Sequence, residues 1–367
     1  MRHEAPWVAP AAAALWAVGI VGCAVGAVFD PAAFYRAWLC SFLFWLGLPL
    51  AGVTLVLVHD LSGGDWMATA RPPLDAAIAT MPLASLAGIP AFIGLPSLYG
   101  WTDPAPDLGN VFYLNPAAFL VRYAIYVLAW NVLAAFALWG PRAGKLSIAP
   151  RLSWLSGVGL IVLAVSAGFA SIDWILSLEP KFWSAIFTYA QGASWFNTGM
   201  AAVLLTVTLF DWPSDERRRH MVDLSKILLA TTIFWAYAEF MQYLIIWEEN
   251  LRTEIPWYLK RLDSVWQPSI YVSAALGFVV PFFVLMWAPS KRNRVAVCIV
   301  CVCILISRLA HTWLLVMPEF TAPTALWLDV AAILALGGAM VLLFAYGLRH
   351  VRRLVPVGTS IGTIDHG

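Results

Sequence analysis

The chain has 367 residues, of which 61% are hydrophobic and only 12% are charged, about half the charged fraction of a typical soluble domain. The mean hydropathy is +0.78. A water-soluble fold cannot bury that much apolar surface, so the composition predicts a polytopic membrane protein. The net charge of +1 and the lack of a basic block exclude nucleic acid as a partner.

Ten apolar runs are each long enough to cross a bilayer as a helix, which takes about 20 residues. Helices are expected because lipid offers no water to satisfy an open backbone. The first run lacks a small-residue cleavage site and is predicted to be a span rather than a signal peptide. The prediction is an all-α fold with one integral membrane domain, residues 1–367. Its spans are 7–28, 34–58, 75–100, 113–139, 152–177, 184–210, 225–247, 267–288, 295–316 and 326–348.

The positive residues predict the orientation of these spans. Fifteen of the 22 Lys and Arg fall in the two termini and the even-numbered loops, against five in the opposite loops. Positive loops stay in the cytoplasm, so both termini are predicted to be cytoplasmic. The fifteen are Arg2, Arg71, Arg142, Lys145, Arg151, Arg217, Arg218, Arg219, Lys226, Lys291, Arg292, Arg294, Arg349, Arg352 and Arg353.

Histidines and cysteines predict no metal or haem site in this chain. Haem b in a membrane needs paired axial histidines, but only His311 lies inside a span, and His59 lies at the opposite edge. Cys298, Cys301 and Cys303 stand in an apolar run without acidic or polar neighbours, so buried thiols are expected there. Gly22 and Gly26 form a Gly-x-x-x-Gly pattern that suits either a neighbouring protein or an internal helix contact.

Ionisable residues inside a bilayer are functional candidates because burying their charge is costly. Span seven reaches its outer end eight residues after Glu239, and span nine ends eight residues after Arg308. Both residues are therefore predicted about 12 Å inside the outer boundary, at about 1.5 Å per residue. The candidates within the spans are Arg122, Asp173, Glu239, Arg308 and His311, with Gln242 on the same helical face as Glu239.

Two interpretations of these groups are open. In the first, Glu239 and its neighbours exchange protons with a quinol, for which a carboxylate and a histidine in an apolar site are suited. In the second, Glu239 pairs with Arg308 or Arg122 and only locks helices together. At inner depths the candidates are His59 and Asp60, so a continuous proton path requires water in the gaps.

Several strings of the sequence resemble the ActF subunit family of bacterial alternative complex III, a quinol:electron-acceptor oxidoreductase. The likeness runs in order from about residue 34 to 345, and the strings 172–180 and 235–258 are the most specific. The family pattern has Arg where this chain has Ala70 and Met where it has Leu176. The matching strings are His59–Trp66, Asp75 with Thr80–Leu83, Tyr113–Asn115, Ile172–Pro180, Trp235–Leu251, Glu254–Tyr258 with Arg261, Lys291–Asn293 and Trp313–Pro318.

The resemblance implies a fold related to NrfD-type membrane subunits, with two four-helix bundles and two extra helices. It implies a bacterial inner-membrane location, no cofactor bound by this chain, and either a partial proton path or a second quinone site, with the main quinol site in the ActC-like subunit. The implied partners are an ActC-like NrfD-type subunit, an iron–sulfur subunit, and multi-haem and mono-haem cytochromes c that carry haem c, with a terminal oxidase as a further partner.

Two other functions compete with a redox-complex subunit. A secondary transporter would use the prolines of spans two and three to break helices at a substrate site, although the two halves show no matching pair of interrupted helices. An inert membrane anchor would only assemble the other subunits. A transporter acts alone in liposomes, whereas mutation of intramembrane charges separates the redox subunit from the anchor.

Overall fold

Apolar runs separated by short polar loops fold into helices in a computed structural model of the chain. The structure describes residues 7–103, 111–140, 152–210, 213–214, 218–321 and 325–354, with the side chains of 351–354 left out. Within these residues there is no strand, and ten helical segments are long and apolar enough to span a membrane, as predicted. The basic residues Arg2, Arg142, Lys145, Arg151 and Arg217 lie outside the described residues.

The helix bounds agree with the predicted spans to within a few residues at most ends, and the larger extensions reach into polar loops. The helices are α1 Val8–Phe29, α2 Pro31–Ser62, α3 Arg71–Ile78, α4 Met81–Ile93, α5 Leu95–Leu98, α6 Pro116–Trp139, α7 Ser153–Trp174, α8 Phe187–Phe210, α9 Arg218–Glu249, α10 Ile255–Leu262, α11 Pro268–Ala274, α12 Val280–Met286, α13 Arg294–Val316 and α14 Leu326–Leu354.

Two predicted spans are not single helices. The third run forms α3, α4 and α5, which are separated at residues 79–80 and at Gly94. The eighth run forms α11 and α12, joined by a π-helical turn at Ala275–Val279. Pro49 lies inside α2 without ending it, so proline alone did not decide where the chain breaks.

Short polar side chains start several helices, as their capping preference leads one to expect. Asn115 Oδ1 accepts from Ala118 N at 2.8 Å at the start of α6, where Pro116 takes the first helical position. Asn293 Oδ1 accepts from Val295 N at 2.9 Å at the start of α13. These caps satisfy backbone donors that a helix start otherwise leaves without partners.

The helices form two four-helix bundles and an extra pair, as the resemblance implies. The first bundle consists of α2, the α3–α4 unit, α6 and α7, and the second of α8, α9, the α11–α12 unit and α13. The bundles meet along α2, α7, α8 and α13, while α1 and α14 pack on each other and against α2 and α3. The helix α2 is buried along most of its length and lies at the centre.

The pair α1 and α14 approach closely along a stripe of small residues. A Cβ added to Gly19 or Gly22 would overlap Ala335 or Ala331 of α14, and one added to Gly26 would overlap Leu328. The Gly-x-x-x-Gly pattern therefore serves an internal contact, which is the second of its two interpretations. Small residues allow the two helix backbones to approach closely. In lipid the hydrophobic effect does not drive helices together, so this close packing is what stabilises the pair.

Candidate functional site

A carboxylate and an imidazole meet inside the second bundle. Glu239 of α9 lies with its Oε1 3.1 Å from Nε2 of His311 on α13. Only 5% of the His311 side chain is exposed, and its ring stands edge-on to Trp235 at 5.4 Å between centroids. This contact joins a proton acceptor to a group that can carry a proton. The equal depth predicted for Glu239 and Arg308 stays a prediction.

Arg308 lies one helical turn before His311 and stacks on the same tryptophan. Its guanidinium carbon is 3.4 Å from the centroid of the Trp235 ring, and Nη2 donates to Ser307 Oγ at 2.9 Å. Its Nε and Nη1 are buried without a protein acceptor among the described residues. Such orphaned donors mark a place where water or a ligand oxygen belongs.

The π turn of the eighth span makes room for this arginine. A Cβ on Gly277 would overlap Ser307 Oγ and Arg308 Nη2. Across the same contact, Ser307 Oγ donates to Ser273 O at 3.1 Å. A π-helical turn inserts one residue into a helix and is frequent at functional sites, and here it lies opposite the buried charge.

The helix-locking alternative named the wrong partners for Glu239. Its ion pair is with His311, whereas Arg122 pairs with Asp173 in the other bundle. Arg308 instead stacks on Trp235, and the described ion pairs do not include one between Arg308 and Glu239. The sequence could not choose between three cations because the choice depends on how the two bundles divide the spans.

Gln242 lies one turn after Glu239 on α9, as predicted, and joins a separate hydrogen-bonded chain. Ser184 Oγ donates to Gln242 Oε1 at 2.9 Å, and Gln242 Nε2 donates to the hydroxyl oxygen of Tyr258 at 3.2 Å. The chain connects the start of the sixth span, α9 and α10. It fixes the orientation of the amide, which 98% burial also isolates from solvent.

A cavity of about 730 Å³ lies between α9, α10, α11 and α13, and its lining includes Glu239, Tyr258 and His311. Glu239 and His311 are its polar groups on the span helices, beside Ser273. Side chains of α9 on its rim, Tyr237 and Phe240, are each 59% exposed on the surface that would face lipid. The cavity therefore reaches the exposed face of α9. Its aromatic walls are Trp235, Tyr237, Phe240, Tyr243, Trp257, Tyr258 and Phe278.

The short helix α10 covers the end of the cavity that lies beyond the C-terminal end of α9. Its Lys260 forms ion pairs with Glu179 and, at 3.0 Å, with Glu319. Its Arg261 reaches Glu319 Oε1 at 2.9 Å and lies over the Trp257 ring at 3.4 Å. Since Glu179 follows the fifth span and Glu319 the ninth, these contacts connect α10 to both bundles.

Burial and pairing act in opposite directions on the two cations of α10. Burial lowers the pKa of Arg261 to about 10, although Glu319 favours its charged form. Partial burial also acts to lower the pKa of Lys260, but Glu179 and Glu319 outweigh it and raise the pKa above its usual value. Both side chains are therefore cationic at neutral pH, and the covering helix stays fixed there.

Arg122 and Asp173 form a second polar cluster, in the first bundle. The guanidinium of Arg122 donates through Nε at 2.8 Å and through Nη2 at 3.0 Å to the two carboxylate oxygens of Asp173. Tyr126 donates to the same carboxylate at 2.8 Å, and Arg122 also donates to the carbonyl of Tyr113 at 3.0 Å. Their predicted role in proton transfer stays a prediction, while the paired geometry favours holding α6 to α7.

His59 and Asp60 lie at the far end of the first bundle. His59 Nε2 bonds to Gly64 O at 2.8 Å, and Asp60 accepts from Ser156 Oγ at 3.0 Å. Ser156 and Asp173 are 17 residues apart on α7, about 25 Å along the helix. These two residues are therefore not part of the Glu239 cluster, and a proton path that includes them stays a prediction.

Three contributors to the site were not singled out in the sequence. Trp235 and Tyr258 lie within a recognised string, but nothing in their spacing showed that one stacks on Arg308 and the other ends the Gln242 chain. Gly277 stands in an apolar run and gave no signal at all. Trp235 contacts α13, Tyr258 contacts α9, and Gly277 contacts α13. Each contact joins two different helices, which spacing along one helix cannot reveal.

Among the described residues, no group of three or more His, Cys, Asp or Glu side chains converges as a metal site. Cys301 is buried, Cys298 and Cys303 are half-buried, and all five cysteines are free thiols. The chain matches no model of a known protein family, and no curated protein matches it in sequence. The resemblance to ActF-type subunits therefore rests on the motif strings themselves.

Proposed function

We propose that the chain is an integral membrane subunit of a quinol oxidoreductase complex of the alternative complex III type. One observation carries the proposal: the Glu239–His311 pair lies in an aromatic cavity that reaches the exposed face of α9. A quinol is a flat ring on an apolar tail, and aromatic walls with a few polar groups suit such a ligand. The motif strings at 172–180 and 235–258 support the same function.

The chemistry assigned to this site is proton acceptance. Oxidation of a quinol to a quinone releases two protons and two electrons. Glu239 can take one proton from a ring hydroxyl, and His311, which it contacts at 3.1 Å, can take the other. The electrons pass to redox centres in partner subunits, because no residue assigned to this site is an electron carrier.

The remaining parts of the proposal follow from the resemblance. The chain lies in the bacterial inner membrane with both termini in the cytoplasm. It binds no cofactor of its own and assembles with an ActC-like subunit, an iron–sulfur subunit and cytochromes c that carry haem c. The Glu239 cluster then belongs to the outer half of the membrane, on the side of the cytochromes.

Copurification is the direct test of the complex. The tagged chain is extracted in mild detergent, and the visible spectrum and mass-spectrometric composition of the preparation are recorded. Reduced c-type haem bands together with a cytochrome and an iron–sulfur protein are the expected result. A colourless chain that purifies alone and is monodisperse would contradict the proposal and favour a transporter.

The substitution Glu239→Gln tests the proton acceptor within the purified complex. It keeps the size of the side chain but removes the carboxylate, so quinol oxidation coupled to proton release should fall by about tenfold or more, given the usual 10²–10⁴-fold contribution of general acid–base groups. Glu249→Gln, an exposed residue at the end of α9, is the control and should leave the rate unchanged. Equal rates for Glu239→Gln and wild type would leave only an anchoring role.

A further inference from the structure

The chain of donors that ends at Tyr258 leaves one proton without an acceptor. Ser184 donates to the oxygen of the Gln242 amide, which turns the amide nitrogen toward Tyr258. The hydroxyl oxygen of Tyr258 is therefore an acceptor in this chain, and its own O–H proton is left to donate elsewhere. Among the described residues no protein oxygen accepts that proton, and Tyr258 lines the cavity.

The surroundings of Tyr258 keep it a neutral donor. Its ring packs edge-on to Trp257 at 4.8 Å and to Tyr243 at 5.4 Å between centroids. Burial raises the pKa of Tyr258 above its usual value, and the charge of Glu239 acts in the same direction, whereas Gln242 and Arg261 oppose it. The hydroxyl is thus protonated at any physiological pH.

Tyr258 lines the same cavity as the Glu239–His311 pair. Gln242, which holds Tyr258, is three residues after Glu239, so their positions differ by about 4.5 Å along α9. The cavity therefore has an acid–base pair and a neutral donor, with aromatic walls around both.

We propose that Tyr258 is the second polar contact of a lipid-soluble para-quinone or quinol, donating its hydroxyl proton to one ring oxygen while the other ring oxygen faces Glu239 and His311. The inference rests on the proposed function and adds to it the residue that sets which way round the ring binds. Ser184 and Gln242 are positioning residues, because they act only by directing the Tyr258 hydroxyl into the cavity.

The test uses the full-length chain, with whatever copurifies, in lipid nanodiscs. The probes are a short-chain para-benzoquinone and a short-chain naphthoquinone. Binding is measured by titration calorimetry, and the carbonyl stretching bands of the bound probe are recorded by infrared difference spectroscopy. A carbonyl that accepts a hydrogen bond absorbs at lower frequency, so wild type should show one carbonyl band shifted down by Tyr258.

Tyr258→Phe should lower the affinity for the quinone probe about tenfold, which is equivalent to one hydrogen bond of about 1–1.5 kcal/mol. It should also abolish the shifted carbonyl band. Ser184→Ala frees the amide of Gln242 to turn, so that its oxygen can accept the Tyr258 proton. This variant should weaken the shifted carbonyl band while the Tyr258 side chain stays in place. Tyr271→Phe is the matched control, because Tyr271 is 64% exposed outside the cavity, and it should change neither the affinity nor the spectrum.

The outcomes separate this inference from the function beneath it. If wild type binds neither probe, the proposed quinol site and the role of Tyr258 are both wrong. If wild type binds a probe and Tyr258→Phe keeps its affinity and its shifted band, only the role of Tyr258 is wrong. The thermal unfolding temperature of each variant is the control for folding. A variant that unfolds at the wild-type temperature is folded, so its loss of binding reflects the site.

Discussion

Asp173 and Arg122 illustrate how a buried charge is made tolerable at the residue scale. Asp173 is 1% exposed and accepts from both Arg122 and Tyr126. An isolated carboxylate there would lose its hydration without compensation. With a two-point ion pair and a tyrosine hydroxyl, every charge in the cluster has a partner, in contrast to Arg308, which keeps two orphaned donors.

Substitutions in that pair should show strong coupling. Arg122→Gln alone or Asp173→Asn alone leaves one charge buried without its partner, which is expected to lower the free energy of unfolding by about 3–5 kcal/mol. The double variant should be more stable than either single variant, because no unpaired charge remains. Unfolding in detergent, followed by near-UV circular dichroism, measures the three.

Asp223→Asn supplies the comparison for an exposed pair. Asp223 contacts Lys226 at 2.9 Å with both side chains largely exposed, and its loss should change stability by about 0.5 kcal/mol or less. Additive effects of Arg122→Gln and Asp173→Asn would contradict the structural role assigned to their pair.

At the scale of elements, α10 connects the two bundles at the end where α7 and α13 finish. Its own eight residues are too few to form a stable isolated helix, so its position depends on Trp257 and Arg261, which are buried, and on Lys260. The stacked rings of Phe182 and Trp257, 4.5 Å apart, add an apolar contact to the ion pairs. Loosening α10 would open the end of the cavity that it covers.

Lys260→Gln should loosen this helix without unfolding the bundles. Amide hydrogen exchange across 255–262 is expected to accelerate about twofold to fivefold, since a partly exposed ion pair contributes about 0.2–1 kcal/mol. Because the pKa of Lys260 is raised in the folded chain, its contribution is complete below the unfolded value of 10.5 and is lost only as pH rises above it. The difference between wild type and variant should therefore be constant from pH 6 to 9.

Lys226→Gln at the other end of α9 removes the same charge far from α10. It should leave exchange across 255–262 at the wild-type rate. A difference between Lys260→Gln and wild type that faded as pH rose from 6 to 9 would show that the ion pairs of Lys260 do not hold the helix.

At the scale of the whole molecule, the orientation of the ten spans in the membrane can be tested by labelling the two ends of α9. Arg252 and Lys226 are exposed near opposite ends of α9. With both termini in the cytoplasm, Arg252→Cys should react with an impermeant maleimide in intact spheroplasts, whereas Lys226→Cys should react only after permeabilisation. The native thiols lie within the spans, and the unmodified chain is the control for their labelling. The reverse pattern would invert the topology and move the Glu239 cluster to the inner half of the membrane.

What the sequence determined by itself is local and additive. Hydropathy predicted ten spans, because each run must satisfy its backbone alone in lipid, and eight-residue counts to the span ends predicted that Glu239 and Arg308 share a depth. What only the tertiary structure decided is pairing. In the folded chain Glu239 pairs with His311, and Arg122 pairs with Asp173. The Gly22–Gly26 stripe packs against α14, and the π-helical turn of the eighth span lies opposite Arg308. These outcomes depend on contacts between segments far apart in the chain, which periodicity along one helix cannot express.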